Sequence, residues 1–140
     1  MTKYRRDSQR FLVQRKVASE AANMMRMKGA GFDSASSKAH AAPDAIAAAK
    51  EAICEAEQEI VSGAWDLIIL DEINYAVKFG LLETEDVLRL VNEKPRNLHL
   101  VLTGRDAAPE LVAAADLVTE MKLVKHPFQK GIKAQLGIEF

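Results

Sequence analysis

The chain has 140 residues, of which 49% are hydrophobic and 28% are charged, and its net charge is −1. This length suits a single domain with a substantial core, and the near-neutral charge gives the whole molecule no electrostatic attraction to nucleic acid or to an anionic membrane. No apolar run approaches the about 18 residues that a membrane-spanning helix needs, and Cys54 is the only cysteine, which together predict a cytoplasmic protein without a disulfide or a nucleic-acid or membrane partner.

The N-terminal segment, residues 1–42, is basic at its start and rich in small and polar residues at its end. We interpret its basic side chains as a solvated face, with contact to a phosphate or polyanion as the alternative. Apolar residues at helix-like spacing predict one loose helical face, formed by Phe11, Leu12, Val17, Ala21, Met24 and Met25. Residues 33–42 indicate a loop. We therefore separate residues 1–42, a divergent segment, from an α/β domain over residues 43–140.

A long amphipathic helix begins at Pro43, whose fixed φ suits a first helical turn. Gly63 supplies the stop. Between them, apolar residues recur every three or four positions and predict one continuous buried stripe, formed by Ile46, Ala49, Ile53, Ala56 and Ile60. Cys54 lies on this helix, and we interpret it as a small hydrophobe rather than a nucleophile.

Four consecutive apolar residues, 67–70, run directly into Asp71 and Glu72. Such a run is typical of a parallel strand buried on both faces, and open α/β sheets bind ligands at the carboxyl ends of their strands. In nucleotide-binding proteins this is the position of the Walker B acids, where one carboxylate holds Mg²⁺ and the other polarises a reacting group. The alternative is structural, with one acid capping a helix that begins at Ile73.

Helices and strands alternate along the rest of the chain, which predicts an α/β fold with a parallel sheet. Thr84 is the expected N-cap of its helix, and Lys94 and Pro95 follow the end of that helix. The predicted elements are helices over residues 73–80, 84–93 and 109–115, a strand that begins at His99, and a third strand over residues 117–121.

A second polar cluster, Thr103, Gly104 and Arg105, follows the strand that begins at His99. Glycine lets the backbone approach a ligand closely, and a guanidinium suits a bidentate grip on phosphate. A plain turn with Arg105 in solvent fits the same spacing equally well. The 140 residues contain no G-x-x-x-x-G-K-[ST] phosphate-binding loop, so they carry the metal half of a nucleotide site without its phosphate half.

Four motifs carry a family resemblance: DLIILDEINY at residues 66–75, LTGR at 102–105, ADLVTEM at 115–121 and KHPFQKGIKAQLGIEF at 125–140. In this combination they resemble the P-loop type of cob(I)alamin adenosyltransferase. The resemblance implies a RecA-like parallel sheet flanked by helices, and a homodimer. It also implies transfer of the 5′-deoxyadenosyl group of ATP to a reduced corrinoid in cobalamin biosynthesis, with triphosphate as the leaving group.

The same resemblance assigns roles to the two polar clusters. Asp71 and Glu72 would be catalytic and would hold Mg²⁺. Thr103, Gly104 and Arg105 would line the crevice that receives ATP and the corrinoid. The assignment covers only residues that match the family's motifs as they stand in this sequence.

The N-terminal segment departs from the family pattern. Residues 29–32, Gly-Ala-Gly-Phe, match the first half of a G-x-G-F-T-W motif whose aromatics line the corrinoid site, so Phe32 is carried over, whereas Asp33 and Ser34 replace the threonine and tryptophan. The family's first strand and Walker A loop are expected to be absent. The alternative function is therefore a non-catalytic corrinoid-binding or dimerisation module, while the C-terminal motif disfavours a generic Walker B ATPase.

Overall fold

The computed structural model describes residues 2–6, 9–14 and 43–133. Its strands are β1 (Thr2–Arg6), β2 (Gln9–Gln14), β3 (Leu67–Leu70) and β4 (His99–Leu102). They form one sheet in the order β1-β2-β3-β4, in which β1 is antiparallel to β2 and the other neighbours are parallel. The helices of the described residues are α1 (Pro43–Val61), α2 (Ile73–Lys78), α3 (Thr84–Glu93), α4 (Pro109–Ala114) and a short 3₁₀ helix (Pro127–Lys130). The predicted α/β class with a parallel sheet is confirmed.

The N-terminal segment differs from its prediction, because Phe11 and Leu12 belong to strand β2 and not to a helix. Phe11 pairs with Leu67 and Leu12 with Ile68, and the Leu12 side chain is fully buried. Pairing with β3 therefore overrides a weak helical spacing. We expected the sheet to lack an N-terminal strand, and this expectation is wrong, because β1 and β2 are both N-terminal strands of the sheet. Val17, Ala21, Met24 and Met25 lie outside the described residues.

Arg10 and Asp66 fix the register between β2 and the start of β3. The Arg10 backbone N–H donates to Asp66 Oδ2 at 2.8 Å, and the Asp66 N–H donates to the Arg10 carbonyl at 3.0 Å. The guanidinium lies 3.5 Å from Asp66 Oδ1. The hydrogen bond from the Arg10 backbone, more than the nearby guanidinium, lowers the pKa of Asp66.

Helix α1 packs its predicted apolar stripe into the core. It begins at Pro43, and Gly63, just beyond its end, has a φ of +66° that favours glycine. The stripe is confirmed, since four of its members are buried and Ile46 is partly buried: Ala49, Ile53, Ala56 and Ile60. Cys54 lies on the exposed side of α1, which corrects its interpretation as a packed hydrophobe.

Helix α3 packs against α1 and α4, and buries Val87 and Leu90. Its N-cap is Glu83 and not Thr84, since Glu83 is extended (φ −80°, ψ 152°) and Thr84 is the first helical residue. The Glu83 N–H donates to Asp86 Oδ2 at 3.2 Å. The Asp86 carboxylate in the first turn therefore satisfies the N-cap N–H, as the acidic residue of a capping box does.

The predicted third strand over residues 117–121 is wrong. These residues have no regular secondary structure, and Leu117 and Met121 are 84% and 92% exposed. An apolar run favours a strand only when a neighbouring strand accepts its backbone hydrogen bonds. Within the described ranges, no helix combines the length and apolar character that a membrane crossing requires.

Candidate functional site

The two polar clusters come together at the carboxyl ends of β3 and β4. Leu70 pairs with Leu102 across the parallel strands, and the Thr103 N–H donates to the Leu70 carbonyl at 3.1 Å. The residues that follow each strand therefore meet at one edge of the sheet. Of the six candidate residues, five lie at this edge; Phe32 lies outside the described residues.

The hydroxyl of Thr103 joins the two acids. Thr103 Oγ1 donates to Asp71 Oδ1 at 2.8 Å and accepts the backbone N–H of Glu72 at 2.8 Å. This hydroxyl therefore holds the Asp71 carboxylate and the Glu72 backbone at once. Thr103 is more than part of a plain turn, and its hydroxyl positions the acids.

Glu72 occupies the N-cap position of α2 in a left-handed conformation, with φ 58° and ψ 22°. A non-glycine residue in this region is strained by about 1–2 kcal/mol. Its side chain makes no capping hydrogen bond, so capping does not explain why a glutamate stands here. One carboxylate oxygen, Oε2, is buried and has no hydrogen-bond partner among the described residues.

The electrostatic surroundings of Glu72 disfavour its charged form. Burial is the larger cause that raises the pKa of Glu72, and the neighbouring Asp71 carboxylate raises it further, while Arg105 opposes both. A carboxyl group with a raised pKa and a buried, unpaired oxygen is a frequent property of functional sites. A cation beside Glu72 would relieve both effects.

Gly104 allows the loop after β4 to lie directly on α2. Its φ is +123°, and a Cβ built there would lie 3.0 Å from Asn74 Cβ, 3.3 Å from the Asn74 backbone nitrogen and 3.4 Å from Glu72 Cα. The neighbours are mostly backbone atoms, which cannot move aside. Glycine is therefore required at this position for close packing, and the ligand contact expected from the sequence is not needed to explain it.

Arg105 and Asp106 continue this loop across the surface. Arg105 is exposed, and its charge reaches Glu72 strongly enough to oppose the rise in the pKa of that residue. Asp106 forms an ion pair with Lys78 at the end of α2. The Lys78 ammonium also lies 5.9 Å from the centroids of both the Tyr75 and Phe79 rings. The loop is thus fastened to α2 on either side of Arg105.

Asn74 is the site residue that the sequence reasoning missed. It is 6% exposed and is the one buried polar or charged side chain among the described residues. Its backbone N–H donates to the Thr103 carbonyl at 3.2 Å, and its Nδ2 donates to the Gly104 carbonyl at 3.4 Å. The sequence offered one indication of this role. Asn74 is a polar amide that lies two positions after Glu72, at the start of a helix whose neighbouring residues are mostly apolar.

The chemistry of this edge suits a hard divalent cation. Mg²⁺ binds proteins through one or two carboxylates and completes its shell with water and substrate phosphates. Asp71 and Glu72 supply that number, and the buried Glu72 Oε2 has no hydrogen-bond partner within residues 2–6, 9–14 and 43–133. No cluster of three or more His, Cys, Asp or Glu residues suited to a metal occurs in the described part of the chain, so a site built from protein acids alone is not found there.

Replacing Thr103 with valine is expected to lower the free energy of unfolding by about 1–3 kcal/mol, because it leaves the part-buried Glu72 N–H and the Asp71 carboxylate without their shared partner. Urea denaturation measures this change. Thr103→Ser retains the hydroxyl and is the matched control. Equal losses in the two variants would contradict the bridging role, since only valine removes the hydroxyl.

The sequence matches a known protein family and several of its members. The family model described as ATP:corrinoid adenosyltransferase BtuR/CobO/CobP matches residues 3–140. A corrinoid adenosyltransferase of Pseudomonas aeruginosa is 48% identical over 95 residues, which are 68% of this chain and 47% of the relative. A protein of the same name from a Sinorhizobium species is 47% identical over 68% of this chain and 45% of its own length. The corresponding Escherichia coli K12 protein is 35% identical over 67% of this chain and 48% of its own length. The chain thus spans about half the length of these relatives.

Proposed function

Because the chain belongs to the ATP:corrinoid adenosyltransferase family, we propose that it transfers the 5′-deoxyadenosyl group of ATP to a reduced corrinoid in cobalamin biosynthesis. The observation that supports this proposal best is the convergence of Asp71, Glu72 and Thr103 at the ends of two parallel strands. Open α/β sheets bind nucleotides at that edge.

The proposed reaction is a nucleophilic displacement at the C5′ carbon of ATP. The electron pair of the reduced cobalt forms the cobalt–carbon bond, and the C5′–oxygen bond breaks with its electrons leaving on triphosphate. Bound Mg²⁺ would neutralise charge on the triphosphate. No proton transfer is needed at the carbon, so the contribution of the chain is positioning and charge stabilisation.

The residues at the strand ends have different proposed roles in positioning the substrates and stabilising charge. Asp71 and Glu72 would hold the cation, with the Thr103 hydroxyl fixing their positions. Arg105 is exposed in the loop that follows β4, where its guanidinium could contact the triphosphate. Gly104 allows the loop that carries Arg105 to approach α2. Phe32 is proposed to touch the corrin ring, on the resemblance of its motif alone.

Nucleotide binding by this chain is proposed to be weak. In P-loop proteins, backbone N–H groups and a lysine of the loop hold most of the phosphate charge, and the 140 residues contain no G-x-x-x-x-G-K-[ST] sequence. We expect Mg-ATP to bind with a dissociation constant above the micromolar range in titration calorimetry. Arg105→Ala should weaken the remaining affinity further, whereas Arg96→Ala, an exposed arginine elsewhere, should not change it.

Micromolar binding of Mg-ATP would contradict this expectation and would point to a phosphate site in residues 1–31 of a kind that the sequence does not reveal. If Arg96→Ala and Arg105→Ala weaken the affinity equally, the nucleotide is attracted by general positive charge. In that case Arg105 has no specific place in the site.

Incubation of the chain with Mg-ATP and chemically reduced corrinoid tests the activity itself, with the adenosylated product identified by chromatography. Turnover supports the proposal. Corrinoid binding without turnover would favour the alternative, a non-catalytic corrinoid-binding or dimerisation module, which the missing phosphate-binding sequence supports. We also propose a cytoplasmic homodimer, as the family resemblance implies, and light scattering measures its mass.

A further inference from the structure

Asn74 carries a buried polar atom that no residue of the described ranges satisfies. Asn74 is only 6% exposed. Its side-chain oxygen, Oδ1, has no hydrogen-bond partner among the described residues. A buried amide oxygen in this state is unfavourable unless a water, an ion or a ligand meets it. A side chain retained only for packing would be better replaced by leucine.

The orientation of the Asn74 amide follows from its neighbour. Nδ2 donates to the carbonyl oxygen of Gly104 at 3.4 Å, and the reversed amide would place Oδ1 against that same carbonyl, oxygen against oxygen. The nitrogen end is therefore held by the loop after β4. The oxygen end is left to face something other than this loop.

A second unsatisfied oxygen lies in the same part of the molecule. Glu72 Oε2 is also buried without a partner, and Glu72 and Asn74 both pack against Gly104, whose built Cβ lies 3.4 Å from Glu72 Cα and 3.0 Å from Asn74 Cβ. These two atoms are the only buried side-chain oxygens or nitrogens without a hydrogen bond in the described ranges. Both are acceptors, so neither can satisfy the other while Glu72 is ionised.

We infer that the side-chain oxygen of Asn74 is a further ligand of the divalent cation held by Asp71 and Glu72. Amide oxygens are hard ligands of the same kind as carboxylates. A single cation bound to both atoms would satisfy the two unpaired oxygens at once. The inference deepens the proposed function and rests on it for the identity of the cation.

The test measures binding of Mn²⁺ alone, by the loss of its free electron-spin-resonance signal, in the absence of ATP and corrinoid. Mn²⁺ shares the preference of Mg²⁺ for oxygen ligands. Asn74→Leu removes the oxygen and is expected to weaken binding about tenfold or more. Asn74→Asp keeps an oxygen, adds a charge and loses the nitrogen donor, so it should bind Mn²⁺ at least as tightly as the wild type.

This pair separates a ligand from a residue that only holds the loop. A role confined to the Gly104 contact predicts equal weakening by leucine and aspartate, because both remove Nδ2. Asn92→Leu on the exposed side of α3 is the control and should leave binding unchanged. Circular dichroism checks that each variant folds; if Asn74→Leu does not fold, the comparison of Asn74→Asp with the wild type decides alone.

The inference is overturned if Asn74→Leu binds Mn²⁺ as the wild type does, if Asn74→Asp binds more weakly than the wild type, or if the wild type binds no Mn²⁺. It is distinguishable from the proposed function, since no transfer is measured. A chain that binds Mn²⁺ through Asn74 but does not adenosylate corrinoid would count against the transferase and support the cation ligand.

Discussion

Glu72→Gln is expected to lower corrinoid adenosylation by about a hundredfold or more, the scale of losing one charge-stabilising group at a reacting centre. Glutamine keeps the size of the side chain and removes the charge that would pair with Mg²⁺. The product is measured by chromatography at saturating Mg-ATP, so that a change in affinity is not mistaken for a change in rate. The backbone stays in place, because the Glu72 N–H still donates to Thr103.

Glu93→Gln is the matched control, since this glutamate is exposed at the end of α3. Its activity should equal that of the wild type. A Glu72→Gln chain that adenosylates at the wild-type rate would remove Glu72 from the mechanism. A loss of activity accompanied by a loss of secondary structure would contradict the expectation that the carboxylate serves chemistry and not the fold.

Glu72→Gln is also expected to change how the stability of the protein depends on pH. Because the pKa of Glu72 is raised in the folded state by burial and by Asp71, the folded chain binds this proton more tightly than the unfolded chain does. Protonated Glu72 therefore stabilises the fold. This contribution is fully present below the pKa that Glu72 has in the unfolded chain, and it is lost as the pH rises through the pKa of Glu72 in the folded chain. As the pH rises through this range, the urea concentration at the midpoint of unfolding should therefore fall less for Glu72→Gln than for the wild type.

Ile53→Ala is expected to lower the free energy of unfolding by about 2–5 kcal/mol. The side chain is 3% exposed in the centre of the α1 stripe, and the truncation removes apolar contacts and leaves a cavity. The small neighbours Ala49 and Ala56 have no larger side chains to move into that space. The loss is measured by urea or guanidinium denaturation, and it is a large part of the stability of a domain of this size.

Val61→Ala is the control on the same helix, because Val61 is 59% exposed. Its effect should stay within about 0.5 kcal/mol. Similar losses in the two variants would contradict the assignment of Ile53 to the core. Helix propensity could not explain either loss, because alanine has a higher intrinsic propensity than isoleucine or valine.

Much of the fold downstream of residue 43 could be predicted because local signals agreed with tertiary packing. Pro43 marks the start of α1 and Gly63 follows its end, and Leu67–Leu70 is a strand because its residues are apolar and lie between polar ones. Phe11 and Leu12 were misassigned because two apolar neighbours fit either period, and only pairing with Leu67 and Ile68 decides between them.

The sequence predicted that the polar residues of the site meet at one edge of the sheet, but not how they contact one another. Asp71 and Arg105 follow apolar strands, and the topology of parallel strands places such residues at one edge. The conformation of Glu72 and the bridging hydroxyl of Thr103 depend on how α2 leaves the sheet, which no local pattern records. Asn74 was missed for a related reason, since an amide in a helix gives no sign of whether it is buried.

The left-handed backbone of Glu72 limits which residues a mutational library could recover at this position. Glycine and asparagine adopt φ 58° most readily, whereas valine, isoleucine and threonine are strongly disfavoured there. A library selected for folding alone should thus be enriched in glycine and asparagine at position 72. Selection for transfer should return glutamate instead, and the difference between the two populations would separate what the backbone tolerates from what the chemistry demands.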